Sequence, residues 1–209
     1  MLYDEMRRLC AANELSAARR LVEAAIRKRS TPDSYLLERR IDILQRQGDT
    51  ESMIKGYYDL LTTEPFCLRY YRKLKTLLTG DRWQKIHADI IEALQKNSDA
   101  LKCIYEEEGD MDAIYKLILA NEWYALDEIM TYFKRMPEKY HESLLRRGIT
   151  ELKEQSERVG TRADYVNYAK LLKRFSRLPG AAPLVAELLT HIRATYPRRR
   201  AMLEVLSAL

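Results

Sequence analysis

The side chains with the clearest chemical potential in this chain are cationic. Lys170, Lys173, Arg174 and Arg177 recur at i, i+3, i+4 and i+7, a spacing that puts them on one face of a helix. No carboxylate interrupts that stripe, and Tyr165, Tyr168, Leu171, Leu172, Phe175 and Leu178 form the opposite face. A second group, Arg198, Arg199 and Arg200, follows Pro197 and opens a helix at the end where the dipole disfavours each cation by about 0.3–1 kcal/mol. Glu204 can pair with Arg200 at i+4, which leaves Arg198 and Arg199 to find a partner on another helix or another molecule. Together the seven cations make a candidate basic partner-binding surface, suited to a phosphate backbone or an acidic protein. The plainer reading is the solvated face that any surface helix carries.

Catalytic and metal chemistry have less to stand on. His141-Glu142 begins the zinc-protease helix motif, but the position of its second histidine is held by Leu145. His87 and His191 have no partner at ligand spacing, and Cys10, Cys67 and Cys103 are far apart and odd in number. The acidic run Glu106-Glu107-Glu108 points in three directions on a helix and reads as a solvated helix end. There is no glycine-rich phosphate loop and no nucleophile elbow. The expectation is therefore no enzyme, no metal and no cofactor.

Fourteen tyrosines include the doublets Tyr57-Tyr58 and Tyr70-Tyr71. Tyr57 and Tyr71 match the core pattern. Tyr58 and Tyr70 are turned about 100° away, where a rigid amphipathic ring suits partner binding, so both are candidate groove aromatics.

These residues need elements to hold them, and the punctuation of the chain supplies a scheme. The dipeptide Gly-Asp stands at 48–49, 80–81 and 109–110, at intervals of 32 and 29 residues. Glycine ends a helix in the left-handed conformation, and the aspartate after it caps the next, so the spacing predicts stacked helical hairpins. Amphipathic periods predict helices over 2–12, 15–28, the stretch from Thr31-Pro32 to Gly48, and the stretch from there to Pro65. Further helices follow over 68–78, from Asp81 (boxed by Gln84) to Leu94, over 98–108 and 111–120, from Trp123 to Met136, and from Glu138 to about Glu157. The last three run over about 162–177, 183–195 and 198–208.

The composition agrees, with 46% hydrophobic and 32% charged residues, seven glycines and six prolines in 209 residues. No apolar run reaches the roughly 20 residues of a membrane span, and charges interrupt the N-terminus, so the sequence reads as cytoplasmic, with no membrane partner. The net charge of +5 is uneven: residues 1–145 carry 23 basic and 25 acidic side chains, residues 146–209 carry 13 and 6.

Leu37, Ile41, Leu44, Met53, Tyr57, Leu60 and Pro65 fall at the offsets where tetratricopeptide repeats place their packing residues and closing proline, so this stretch resembles that family. It departs from it in offering Ile41 and Met53 where the repeat wants small residues. Residues 98–209 are similar to the C-terminal helical tail of prokaryotic proteins that carry a SWIM zinc finger, through Ala113-Ile114-Tyr115, the run from Trp123 to Met130, Tyr168, Leu171-Leu172-Lys173-Arg174, Arg177-Leu178, Val185 to Arg193, and Pro197 to Glu204. The C-x-C and C-x-H pairs of the finger itself are absent from the chain.

The expected architecture is an all-α, right-handed solenoid of about a dozen helices. It would form one elongated domain, with hairpin repeats over 1–160 and a basic cap over 161–209. The expected function is a non-catalytic scaffold whose concave face takes a protein or peptide, with the resemblance implying the tail of a SWIM-type protein. The alternative is a nucleic-acid-associated module that uses the basic C-terminal third.

Overall fold

The computed structural model describes residues 2–29, 33–64, 68–121 and 125–207. Among them are thirteen α-helices and no strand. The chain divides into two compact units, Met1–Glu108 and Gly109–Leu209. The sequence had suggested a change of character at 160/161. The helices on either side of that point pack on one another and lie within the second unit.

In the first unit the helices are α1 (Leu2–Ala11), α2 (Leu15–Arg27), α3 (Ser34–Gln47), α4 (Thr50–Thr63), α5 (Leu68–Leu77), α6 (Gly80–Ala93) and α7 (Ser98–Glu108). From α1 to α5 each packs on the next, while α4 also meets α6 and α5 meets α7. Asn13, at φ 58°, makes the turn between α1 and α2 in the left-handed region that asparagine tolerates. Met6, Leu9, Ala18, Val22 and Ile43 then close a core among the first three helices.

The Gly-Asp joint works as expected at 48–49. Gly48 sits at φ 70°, its N–H donates to the Gln45 carbonyl at 3.1 Å, and the Asp49 N–H donates to the Leu44 carbonyl at 3.0 Å. Those two bonds are a Schellman ending of α3. The Asp49 carboxylate then accepts from the Ser52 N–H at 3.1 Å and opens α4. Gly109 and Asp110 repeat the left-handed glycine and the aspartate cap, with φ 71° and a 2.9 Å bond from the Ala113 N–H. The joint at 80–81 differs. Gly80 has a positive φ of 55°, but α6 already begins there, so Asp81 lies inside the first turn and the expected box with Gln84 is not the cap. The Thr31-Pro32 start, Pro65, Cys67 and Trp123 fall outside the described residues. The cap seen before α3 is Asp33, which accepts from the Tyr35 and Leu36 N–H groups.

Polar side chains tie each helix to the next but one at a nearly constant sequence separation of 30–37 residues. Arg19 reaches Asp49 at 2.8 Å, and Arg46 reaches Asn13 at 3.1 Å. Arg69 and Tyr70 bind Glu38, and Arg82 binds Glu51 at 2.8 Å. Tyr71 donates to Glu108 at 2.6 Å, and Arg72 binds Glu107 at 2.6 Å. That separation matches the Gly-Asp interval, so odd-numbered helices share one side of this unit and even-numbered helices the other. Each exposed pair adds at most about 1 kcal/mol, so the ladder fixes register more than it stabilises.

The second unit holds α8 (Met111–Ala120), α9 (Ala125–Tyr132), α10 (His141–Arg158), α11 (Arg162–Phe175), α12 (Ala181–Thr195) and α13 (Arg200–Leu206). Short 3-10 turns at Phe133–Arg135 and Glu138–Tyr140 bracket Pro137. Here the long α10 is central and packs against α9, α11 and α12, while α11 also packs on α12 and α13. Gly148 of α10 faces the Phe175 ring so closely that a Cβ built there would lie 2.5 Å from it. Thr161 and Asp164 form a reciprocal capping box at the start of α11.

Candidate interaction surfaces

On the even-numbered side of the first unit, α4 and α6 flank an open groove of about 890 Å³. Its floor is apolar, from the buried Ile54 and half-buried Ile86, and Tyr58 stands in it with its hydroxyl 3.4 Å from the Asp89 carbonyl. Burial first, and then the nearby Asp89, Glu92 and Asp59 carboxylates, push the Tyr58 hydroxyl up, so it remains a neutral donor. The rim alternates in sign, with Lys55, Arg82 and Lys85 against Glu51, Asp89 and Glu92. Arg82 and Glu51 already pair with each other. An amphipathic floor with a charge-balanced rim suits a mixed peptide better than a polyanion.

Tyr70 does not behave as expected. It is 3% exposed, and its hydroxyl donates to Glu38 Oε1 at 2.5 Å while the Arg69 guanidinium lies over its ring at 4.7 Å. The helical wheel had turned it away from the core, but α5 packs on α4 and is tied to α3, so both faces occupied by the doublet are covered. Burial and the Glu38 acceptor raise its hydroxyl pKa beyond any physiological range. Tyr70 is thus a packing residue that lines the small cleft shared by α3, α4 and α5.

A cluster absent from the sequence reading surrounds Glu108. Tyr71 donates to its Oε1 at 2.6 Å, Lys75 does so at 3.4 Å, and His87 Nε2 lies 3.2 Å from Oε2 without the alignment of a hydrogen bond. Burial alone would raise the Glu108 carboxyl. The Tyr71 hydrogen bond and the His87 and Lys75 charges outweigh it and hold the group low. Tyr71 is fully buried and packs edge-on against Trp83, so no substrate atom reaches its hydroxyl. The set resembles an acid–base constellation in composition, and its contacts link α5, α6 and α7. The end of the acidic run is therefore engaged by α5 rather than simply solvated. Only spacing of about 35 residues between Tyr71-Arg72 and Glu107-Glu108 hinted at it.

In the second unit Lys170, Lys173 and Arg174 project from α11, exposed, and none makes a side-chain hydrogen bond or ion pair. Arg177 is likewise exposed and unpaired, but α11 ends at Phe175, so it belongs to the following turn rather than to the stripe. The arginine triplet divides by role. Arg199 donates to the Ser156, Val159 and Glu157 carbonyls at 3.0, 3.2 and 3.4 Å, closing the C-terminal end of α10, and lies over the Tyr196 ring at 4.4 Å. Of the two partners the sequence left open to Arg199, another helix or another molecule, the structure shows the first, a helix terminus of the same unit, so Arg199 does not belong to the expected basic partner-binding surface. Glu204 binds Arg162 at 3.2 Å instead of Arg200, which leaves Arg198 and Arg200 exposed without partners. Arg162 also fixes where the triplet sits. Glu204 of α13 meets the first residue of α11, about 18 Å along the axis from Arg174 at 1.5 Å per residue, so the two basic groups belong to opposite ends of α11.

His141, whose sequence context suggested half a zinc motif, places Nε2 3.0 Å from the Met136 carbonyl and stacks on Phe133. No cluster of His, Cys, Asp and Glu among the described residues could hold a metal ion. No helix among them is long and apolar enough to cross a membrane. Comparison of the chain with family models, curated proteins and solved structures finds no match.

Proposed function

We propose that the protein is a non-catalytic helical-repeat scaffold, whose first unit is a short α-solenoid of stacked hairpins that binds a peptide or protein segment. The observation that carries this reading is the α4–α6 groove, in which Tyr58 and Ile86 form an apolar seat between balanced rows of charge. The ladder of contacts at 30–37 residues supports the solenoid half of the proposal, because each hairpin repeats the side-chain linkages of its neighbour. An enzyme reading has no support of equal weight, since the Tyr71 hydroxyl of the Glu108 cluster is buried and bound to the carboxylate it would have to serve.

The test uses Tyr58→Glu and Lys85→Glu, which alter the groove at a half-buried and an exposed position. Proteins that co-purify with the chain from cells that make it should include a discrete set lost from both variants and retained by Lys153→Glu in the second unit. An identical set for all four proteins would reject the groove.

A second reading rests on the unpaired Lys170, Lys173, Arg174 and Arg177, which support contact between the second unit and a polyanion or acidic partner. Lys173 and Arg174 also suit their place in the last turn of α11, where the dipole favours cations. Replacing Lys173, Arg174 and Arg177 by glutamate should abolish any salt-dependent binding of duplex DNA. A parent protein that binds no DNA at low salt would leave the stripe a solvated helix end.

A further inference from the structure

On the odd-numbered side of the first unit, α1 and α3 flank a half-open cavity of about 580 Å³, within the range of small-molecule sites. Its chemistry is lopsided. Three guanidiniums, from Arg7, Arg39 and Arg46, line it against the single carboxylate of Asp42, while the floor is apolar, from Met6 and Ile43, with 2% and 1% exposure. The arginines are only lightly engaged. Arg46 makes one 3.1 Å bond to the neutral Asn13 amide, so its charge is uncompensated. Arg7 meets Asp4 at 3.2 Å in a pair about three-quarters exposed, and Arg39 meets Asp42 at 2.9 Å. Each guanidinium carries five donors, so most remain available. Tyr35 adds a wall. It is 41% exposed, meets Tyr3 edge-on at 5.2 Å, and holds the Arg39 guanidinium 5.0 Å from its ring centre. Tyr35 is thus one of four exposed large hydrophobic side chains among the described residues, and it lines this cavity.

We propose that the α1–α3 cavity binds a small amphiphilic anion, with a carboxylate or phosphate head held by Arg7, Arg39 and Arg46 and an apolar body packed against Cys10 and the Tyr35 ring, above Met6 and Ile43. A bare inorganic anion would leave Cys10 and the exposed Tyr35 ring facing water, and a neutral apolar molecule would leave the guanidiniums without an acceptor, so the site selects both parts in one ligand. The proposal is independent of the groove on the opposite side.

The test titrates the full chain with octanoate and octyl phosphate, which share a body and differ in head group, and with octanol and inorganic phosphate, which each carry one part alone. Binding is followed by the methyl resonances of Met6 and Ile43. Octanoate or octyl phosphate should shift both methyls, with octanol and phosphate weaker by at least about tenfold. The tighter of the two anions identifies the preferred head. Arg39→Gln with Arg46→Gln should weaken binding about tenfold, and Asp42→Asn, which removes the cavity's own carboxylate, should tighten it about threefold. The opposite responses of these two exposed changes separate a binding effect from a folding defect. Equal affinity for octanol and octanoate, undiminished binding by the double variant, or no methyl shift with either anion up to about 5 mM would each overturn the proposal.

Discussion

Gly148→Ala opposes two effects of similar size, and the geometry decides between them. Alanine in place of glycine inside a helix such as α10 gains up to about 1 kcal/mol in propensity. The added Cβ, however, would lie 2.5 and 2.6 Å from two ring carbons of Phe175 and 3.4 Å from a Leu126 methyl. Carbon atoms prefer about 3.5–4.0 Å, so the ring must retreat by about 1 Å. Phe175 is fully buried, and overpacking of that kind costs about 1–3 kcal/mol. The net expectation is a loss of about 1–2 kcal/mol, read as a lowered urea midpoint with an unchanged slope. In a Phe175→Leu background the same change meets a smaller neighbour and should be neutral or stabilising, giving a coupling of about 1–3 kcal/mol in the double-mutant cycle. A stabilised single variant, or additive effects in the cycle, would refute the close contact between α10 and the end of α11.

Glu151 is 6% exposed, accepts the Leu126 N–H at 3.0 Å, and faces Arg147, Asp127 and Gln155. Burial raises its carboxyl above the ordinary 4.5, so the folded state holds this proton more tightly than the unfolded chain. Its stabilising contribution is therefore complete below the unfolded value and declines as pH rises through the folded one. Glu151→Gln, which keeps the acceptor, should gain stability over the parent as pH increases from about 4 to 7, and a pH-independent difference between the two would contradict this. Arg199→Met should cost about 1–2 kcal/mol by stripping charged donors from the end of α10, measured by thermal unfolding, and an unchanged melting temperature would return Arg199 to the free basic surface. Gly80→Val places a β-branched residue at φ 55° and should cost about 1–2 kcal/mol although its Cβ meets open space, and equal melting temperatures would count against strain at that joint.

Periodic features were legible in the sequence because they depend on local chemistry. The helical content followed from apolar spacing, and the stops at Gly48 and Gly109 followed from glycine's access to the left-handed region. The resemblance to tetratricopeptide repeats drew attention to Ile41 and Met53 as too large for a close crossing. The structure puts the small residue elsewhere: Gly56 of α4 faces Ile41, where a Cβ would meet its Cγ1 at 2.8 Å. That complementarity is tertiary, and no single-helix pattern could reveal it. Tyr70 was misjudged for a related reason, since a helical wheel assumes one buried face and α5 is covered by helices on two. The division of the arginine triplet was illegible because the three carbonyls that engage Arg199 lie about 40 residues earlier. The α1–α3 cavity escaped notice because its arginines are separated by a whole hairpin and fall into no motif.

The account depends most on the groove between α4 and α6 being the surface that takes a protein ligand. A photoreactive amino acid at position 85, on the groove's exposed rim, tests this directly in cells that make the protein. The account predicts one discrete cross-linked adduct that disappears when Tyr58→Glu is added and does not form from the same probe at position 153. An adduct pattern common to both probe positions, or one indifferent to Tyr58→Glu, would contradict it.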